Sequence, residues 1–173
     1  MNISGGTYKG HKIIAPDERI VRPTLSKVRM SIFNTLFSIL GDFNDKTFLD
    51  VFGGSGIMGL EAISRGFKYT TVFEKNRKVA DIIKKNYSNL NLKPNLFIGD
   101  SLKLVDKLPE KHTVAYVDPP YFSGLYEDIM QKLSEHCDII ILERNQDVNI
   151  SDYDVIKEKK YGDKIITYIK TNL

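Results

Sequence analysis

The chain has 173 residues, 42% apolar and 27% charged, an ordinary soluble composition with room for one domain and a real core. No run approaches the ~18 apolar residues of a membrane span, and no basic-then-apolar leader opens the chain, which predicts a cytoplasmic protein. Net charge is only +3, but residues 1–30 hold six basic and two acidic side chains, so they carry +4 and the rest about −1. Such a segment on a near-neutral body can be a phosphate-binding face or a solvated edge. Cys137 is the sole cysteine and cannot form an internal disulfide. His11, His112 and His136 lack metal-ligand spacing, so no metal site is expected.

In chain order, residues 3–14 look like a small hairpin, two short strand-like pieces flanking glycines and lysines. Residues 15–24 hold Pro16 and Pro23 and form a loop. A helix follows, capped by Thr24 or Ser26, with a stripe of Val28, Ile32, Leu36 and Ile39 or Leu40, closed by Gly41. Arg29 sits off the centre of that stripe. The predicted division is therefore an N-terminal hairpin and helix, residues 1–42, ahead of a domain over 43–173.

The rest alternates. Apolar runs at 47–52, 69–73, 95–98, 113–117 and 137–142 predict strands. Helices are expected from 56, near 76–90, at 101–107 and near 124–135. Two extended pieces, 152–158 and 164–170, follow with no helix between them. Alternation of this kind means an α/β fold, a parallel sheet wrapped on both faces. The final pair forces one strand to run antiparallel.

The stretch from Phe48 to Gly66 organises the whole. A short apolar run leads into Gly53, Gly54, Ser55 and Gly56, then into a helix with Ile57, Leu60 and Ile63 on one side. Glycines permit positive φ and let a ligand approach the backbone. The helix start adds free N–H groups and a positive dipole end. Gly54, Gly56 and Gly59 fit G-x-G-x-x-G, and Glu74 ends the next strand, so a dinucleotide such as NAD is one candidate. Asp50 favours S-adenosylmethionine, because a carboxylate there suits an ammonium and a sulfonium and repels a pyrophosphate. Acids stand at four successive strand ends: Asp50, Glu74, Asp100 and Asp118. The candidate cofactor set is Asp50, Gly53, Gly54, Ser55, Gly56, Glu74 with Lys75, Asp100 with Ser101, and Asp118. Glu74 would hold the ribose hydroxyls, and Asp100 or its neighbour the adenine amine.

Asp118, Pro119, Pro120 and Tyr121 follow a buried strand, Val114 to Val117. Two prolines fix the backbone and remove two N–H donors. The Asp118 carboxylate and the Pro119 carbonyl remain as acceptors beside an aromatic ring. That suits a planar base with an exocyclic amine, with Tyr121 stacking on it.

With these residues in view the chain resembles the D-type small-subunit (16S) ribosomal RNA guanine-N2 methyltransferases. The resemblance rests on Ser4 to Gly10 with Lys12, on Arg22, Pro23 and Thr24 with Val28 and Arg29, and on Phe33 and Asn34. It continues through Asp50 to Gly56, Gly59 to Ala62, Ser64, Arg65, Glu74 and Val117 to Tyr121. It implies a Rossmann-like class I SAM-dependent methyltransferase fold, seven mostly parallel strands with the last antiparallel, plus the N-terminal hairpin. It also implies methylation of a loop guanine in small-subunit ribosomal RNA, within an assembled or assembling 30S particle. Lys9 and Lys12 would then meet RNA phosphates. Arg22, Thr24, Arg29 and Tyr121 would contact substrate, with Glu61 and Asn34 as buttresses. Rival readings are methylation of another amine (a nucleic-acid adenine or a protein glutamine), an NAD-dependent oxidoreductase, and a silent RNA-binding module.

Overall fold

A computed structural model describes residues 1–17, 25–120 and 124–171. One seven-stranded sheet has the order β3-β2-β1-β4-β5-β7-β6. Its strands are β1 (Thr47–Asp50), β2 (Tyr69–Glu74), β3 (Asn95–Ile98), β4 (His112–Val117), β5 (Cys137–Arg144), β6 (Asp154–Tyr161) and β7 (Lys164–Lys170). The first five pair in parallel. β7 runs antiparallel to both β5 and β6, so it lies inside the sheet and β6 forms the edge. This is the expected Rossmann-like class I methyltransferase architecture with an antiparallel last strand.

The central strands are near-continuous apolar runs because helices cover both faces. On one face Phe48, Val72, Val114, Tyr116, Ile141, Ile166 and Tyr168 share a core with Ile3, Ile13, Val28, Ile32, Phe33 and Leu36. Thus the N-terminal segment and α1 (Ser26–Leu40) pack into the main core. The rings of Phe43 and Phe67 stack at 4.4 Å, and Phe33 closes on Phe48 at 5.6 Å. Burying each ring contributes roughly 1.5–3 kcal/mol. The opposite face holds Leu49, Val51, Ala115, Val117, Ile140 and Leu142 beneath α5 (Tyr126–Ser134).

Three expectations change in detail. The predicted N-terminal hairpin reduces to one bridge, Asn2 to Lys12, because its glycines make turns rather than a ladder. β1 stops at Asp50, since Val51 and Phe52 already turn toward the glycines. Ser26 lies inside α1, whose N-cap Leu25 makes no side-chain capping bond, and Thr24 falls outside the described residues.

Candidate active site

The parallel strands bring their C-terminal ends to one edge of the sheet. There Asp50 neighbours Val72 on one side and Tyr116 on the other, while Glu74 stands beside Ile98. Strand order reverses between β1 and β4, and in such sheets ligands bind in the crevice outside that point.

Gly54 and Gly56 have φ of 54° and 77°, values that disfavour any side chain. Gly56 is the N-cap of α2 (Ile57–Ser64) and offers no side chain to its free amides, so they face the crevice. A Cβ on Gly53 would strike Val72, and one on Gly59 would strike the Tyr87 hydroxyl. The turn is pinned from both sides. Its Gly54 amide donates to Glu74 Oε2 at 3.0 Å. Its Ser55 carbonyl accepts from Asn86 Nδ2 at 2.9 Å. Asn86, fully buried on α3 (Arg77–Ser88), also exchanges two hydrogen bonds with the backbone of Ile14. Ser55 Oγ points at Met1 Sδ.

Asp50 is 1% exposed, and neither carboxylate oxygen has a hydrogen-bond partner. Burial pushes its carboxyl up to about 7, and the negative charges of Glu74 and Asp118 add to the rise. The amides of Gly59 and Phe52 oppose it without reaching hydrogen-bond geometry. Burial also holds the Tyr87 hydroxyl well above its usual range, so it stays neutral beside Thr70. A buried carboxylate without a partner is costly, and a cation brought into this crevice would supply the missing charge.

The other predicted residues fall as follows. Glu74 is half-buried, and its second oxygen accepts from the Asn76 amide at 2.7 Å. Lys75 is exposed beside it. Asp100 caps α4 (Ser101–Val105) through the Leu102 amide, and the Ser101 hydroxyl donates to the Val51 carbonyl at 2.7 Å. Asp118 is half-buried at the end of β4, Pro119 is buried and Pro120 exposed. Tyr121, Arg22 and Thr24 lie outside the described residues.

Among the described residues, Lys9 stands away from the glycine turn. The Thr7 amide and the Tyr8 amide donate to the Ser64 carbonyl and hydroxyl. The Lys9 turn therefore sits at the far end of α2, about 12 Å from Gly56 at 1.5 Å per residue. Lys12 is exposed along the return. Arg29 needs correction as a substrate contact, because it is 1% exposed. Its Nε donates to Glu61 Oε1 at 3.1 Å and its Nη2 to the Asn2 carbonyl. Glu61, fully buried, also accepts from the Ser4 amide and from Arg65. The pair buttresses the N-terminal segment, whereas Asn34 is exposed.

Sequence reasoning missed Asn86 and Glu143. Asn86 sits three residues after Ile83 on the apolar side of α3, and a polar residue in a stripe is a readable signal. Glu143 is 2% exposed at the end of β5, accepts from the Tyr116 hydroxyl at 2.7 Å, and pairs with Lys164.

Residues 1–170 match the family described as Conserved hypothetical protein 95. The chain is 32% identical to the ribosomal RNA small subunit methyltransferase D of Escherichia coli K12, over 79% of this chain and 68% of that protein. The chain belongs to the ribosomal RNA small subunit methyltransferase D family. It is therefore a methyltransferase. The Haemophilus influenzae relative of the same name is 29% identical, over 97% of this chain and 91% of its own length. Among solved structures, Escherichia coli yhhF superposes with a TM-score of 0.85 at 27% identity, covering 99% and 98% of the two chains. A match of this extent places residues 1–42 inside the family's shared region.

Proposed function

We propose that the chain transfers the methyl group of S-adenosylmethionine to the exocyclic N2 amine of a guanine in small-subunit ribosomal RNA. The observation that carries this is a pairing of adjacent strands. β1 ends on Asp50 and the glycine turn, and β4 beside it ends on Asp118 and two prolines. The names of the Escherichia coli and Haemophilus influenzae relatives support the RNA class.

The residues present fit the cofactor. Asp50 is a buried carboxylate lacking a partner, suited to a positively charged ligand. The glycine turn leaves its backbone open where a Cβ would intrude, and Glu74, already anchored on Gly54, retains lone pairs for ribose hydroxyls. S-adenosylmethionine, when bound, supplies a methyl already activated by its sulfonium.

On the substrate side, Asp118 and the Pro119 carbonyl accept from the amine's two N–H groups. Pro119 and Pro120 remove amides that would compete for those acceptors. This would hold the amine's lone pair toward the β1 side and stabilise positive charge as the N–C bond forms and the S–C bond breaks; the alkylated nitrogen then loses one proton, which the Asp118 carboxylate can take up. Placement of this kind can supply several kcal/mol. The base must leave its stack, so a loop nucleotide is the cheaper target, in naked RNA or in an assembling 30S particle. Arg22, Thr24 and Tyr121 are proposed to contact the substrate. Lys9 and Lys12, both exposed, are proposed to meet RNA phosphates.

The decisive assay transfers labelled methyl from S-adenosylmethionine to unmodified small-subunit RNA and, separately, to unmodified particles, followed by nucleoside analysis. The expected product is N2-methylguanosine. Label in another nucleoside, or in protein alone, would overturn the assignment.

A further inference from the structure

We propose that the seam between α1 and the β6–β7 hairpin is a second RNA-contacting surface, gripping backbone phosphates that flank the target nucleotide. The inference rests on the RNA reading above and extends it to a place that reading does not use.

The seam reaches the crevice edge. Asp118 follows Val117, which pairs with Leu142, so it stands beside Glu143. Glu143 pairs with Ile166, and Ile166 with Lys159. Asp118 to Lys159 is thus three strand spacings, about 14 Å. The hairpin turn at Gly162 lies on this same edge, since Tyr161 and Lys164 close it beyond Lys159.

Three lysines lie along the seam. Lys157 and Lys159 stand opposite Tyr168 and Ile166, whose side chains lie in the core under α1. Both lysines therefore share the α1 side of the sheet. Lys159 Nζ donates to Ser31 Oγ at 3.1 Å, and the Tyr161 hydroxyl donates to the same oxygen. Lys27 is exposed one turn before Ser31 on the same side of α1. That turn is nearer the crevice, because the later part of α1 packs toward the opposite edge, where Phe37 meets Phe43 and Phe43 meets Phe67. The nearby acids do not cancel the charge. Glu143 is buried against Lys164, and Glu158 is taken by Arg144 on the other side of the strand. Asp163 stands exposed at the tip, and Glu158, also exposed, is paired on the opposite face.

Lysines on an edge strand also discourage sheet-to-sheet pairing. That explanation covers Lys160 as well as Lys157 and Lys159. It does not cover Lys27, which is on a helix across the seam. Phosphate is the complement of such a row, and a polyanion entering at Asp118 must leave over one flank of the sheet. The seam joins the crevice on the Asp118 side, where the target base is proposed to sit, whereas the Lys9 turn stands at the far end of α2.

The test uses the full chain carrying Lys27→Gln, Lys157→Gln and Lys159→Gln together, with unmodified small-subunit RNA as the probe. Binding is measured over a range of salt, beside S-adenosylhomocysteine affinity and thermal unfolding. The expected result is about tenfold or greater loss of RNA affinity, with the log–log salt slope smaller in magnitude by about 2. S-adenosylhomocysteine affinity and Tm stay at wild-type values. The Lys27→Gln, Lys157→Gln double variant repeats the test without touching the Ser31 contact. An unchanged slope in both variants overturns the proposal. So does loss of the slope in Lys9→Gln, Lys12→Gln with none in the seam variants. If the wild type methylates the RNA while the seam variants keep its slope, only the seam fails. If the wild type neither binds nor methylates RNA, the functional reading fails and takes the seam with it.

Discussion

Asp50 shows how one buried side chain can weaken a fold and serve a site. Its folded-state carboxyl titrates near 7, against 3.8 for an ordinary aspartate. The folded protein therefore holds a proton that the unfolded chain releases earlier. Stability from this group falls as pH rises from about 4 through about 7. Asp50→Asn should stabilise the ligand-free protein at pH 8 by on the order of 1–3 kcal/mol, measured by urea unfolding. The gain should vanish near pH 4. The ammonium group of S-adenosylhomocysteine favours the ionised form, so its affinity should rise about tenfold between pH 6 and pH 8 in calorimetry. Asp50→Asn should bind weakly with a flat profile. Asp118 is proposed to act on the other partner. Asp118→Ala should lower kcat by roughly 10²–10³ in a variant that still binds S-adenosylhomocysteine. Near wild-type turnover would remove Asp118 from the reaction.

At the scale of elements, α2 and α3 are pressed together by an absent side chain. Gly59 faces Tyr87 and Val72 so closely that a methyl group has no room. Gly59→Ala should cost about 1–3 kcal/mol of stability, the usual penalty for overpacking. Adding Tyr87→Phe should return part of that loss, because the hydroxyl is the nearest obstacle. A double variant no more stable than Gly59→Ala would show that the backbone, not the hydroxyl, is in the way. The same contact explains how the glycine turn keeps its shape, since Ile83 and Tyr87 also abut Gly56.

Over the whole molecule, Glu61 joins three parts of the chain. It accepts from Ser4 in the N-terminal segment, Arg29 in α1 and Arg65 after α2, with no exposure of its own. Removing one member of a buried ion pair leaves the other charge stranded, at a cost of about 3–5 kcal/mol. Glu61→Ala should lose that much in urea unfolding and expose the segment around Ile3 and Ile13 to hydrogen exchange. Exchange protection there at wild-type levels would show that core packing alone holds the segment.

Much of this was legible in order along the chain. Apolar runs marked the strands, and the bare glycines marked the turn. Acids at four strand ends marked the edge, because strand direction and helix crossovers leave few topologies open. Local sequence could not say that β7 slips between β5 and β6, since either extended piece fits either place until both faces are buried. It could not say that Arg29 turns inward, because a residue beside an apolar stripe is exposed or buried according to what packs on it. Charge counts left residues 1–30 as either a phosphate-binding face or a solvated edge. The tertiary structure set Lys9 at the far end of α2 and Lys159 against Ser31 of α1, because spacing along the chain does not set distance in space.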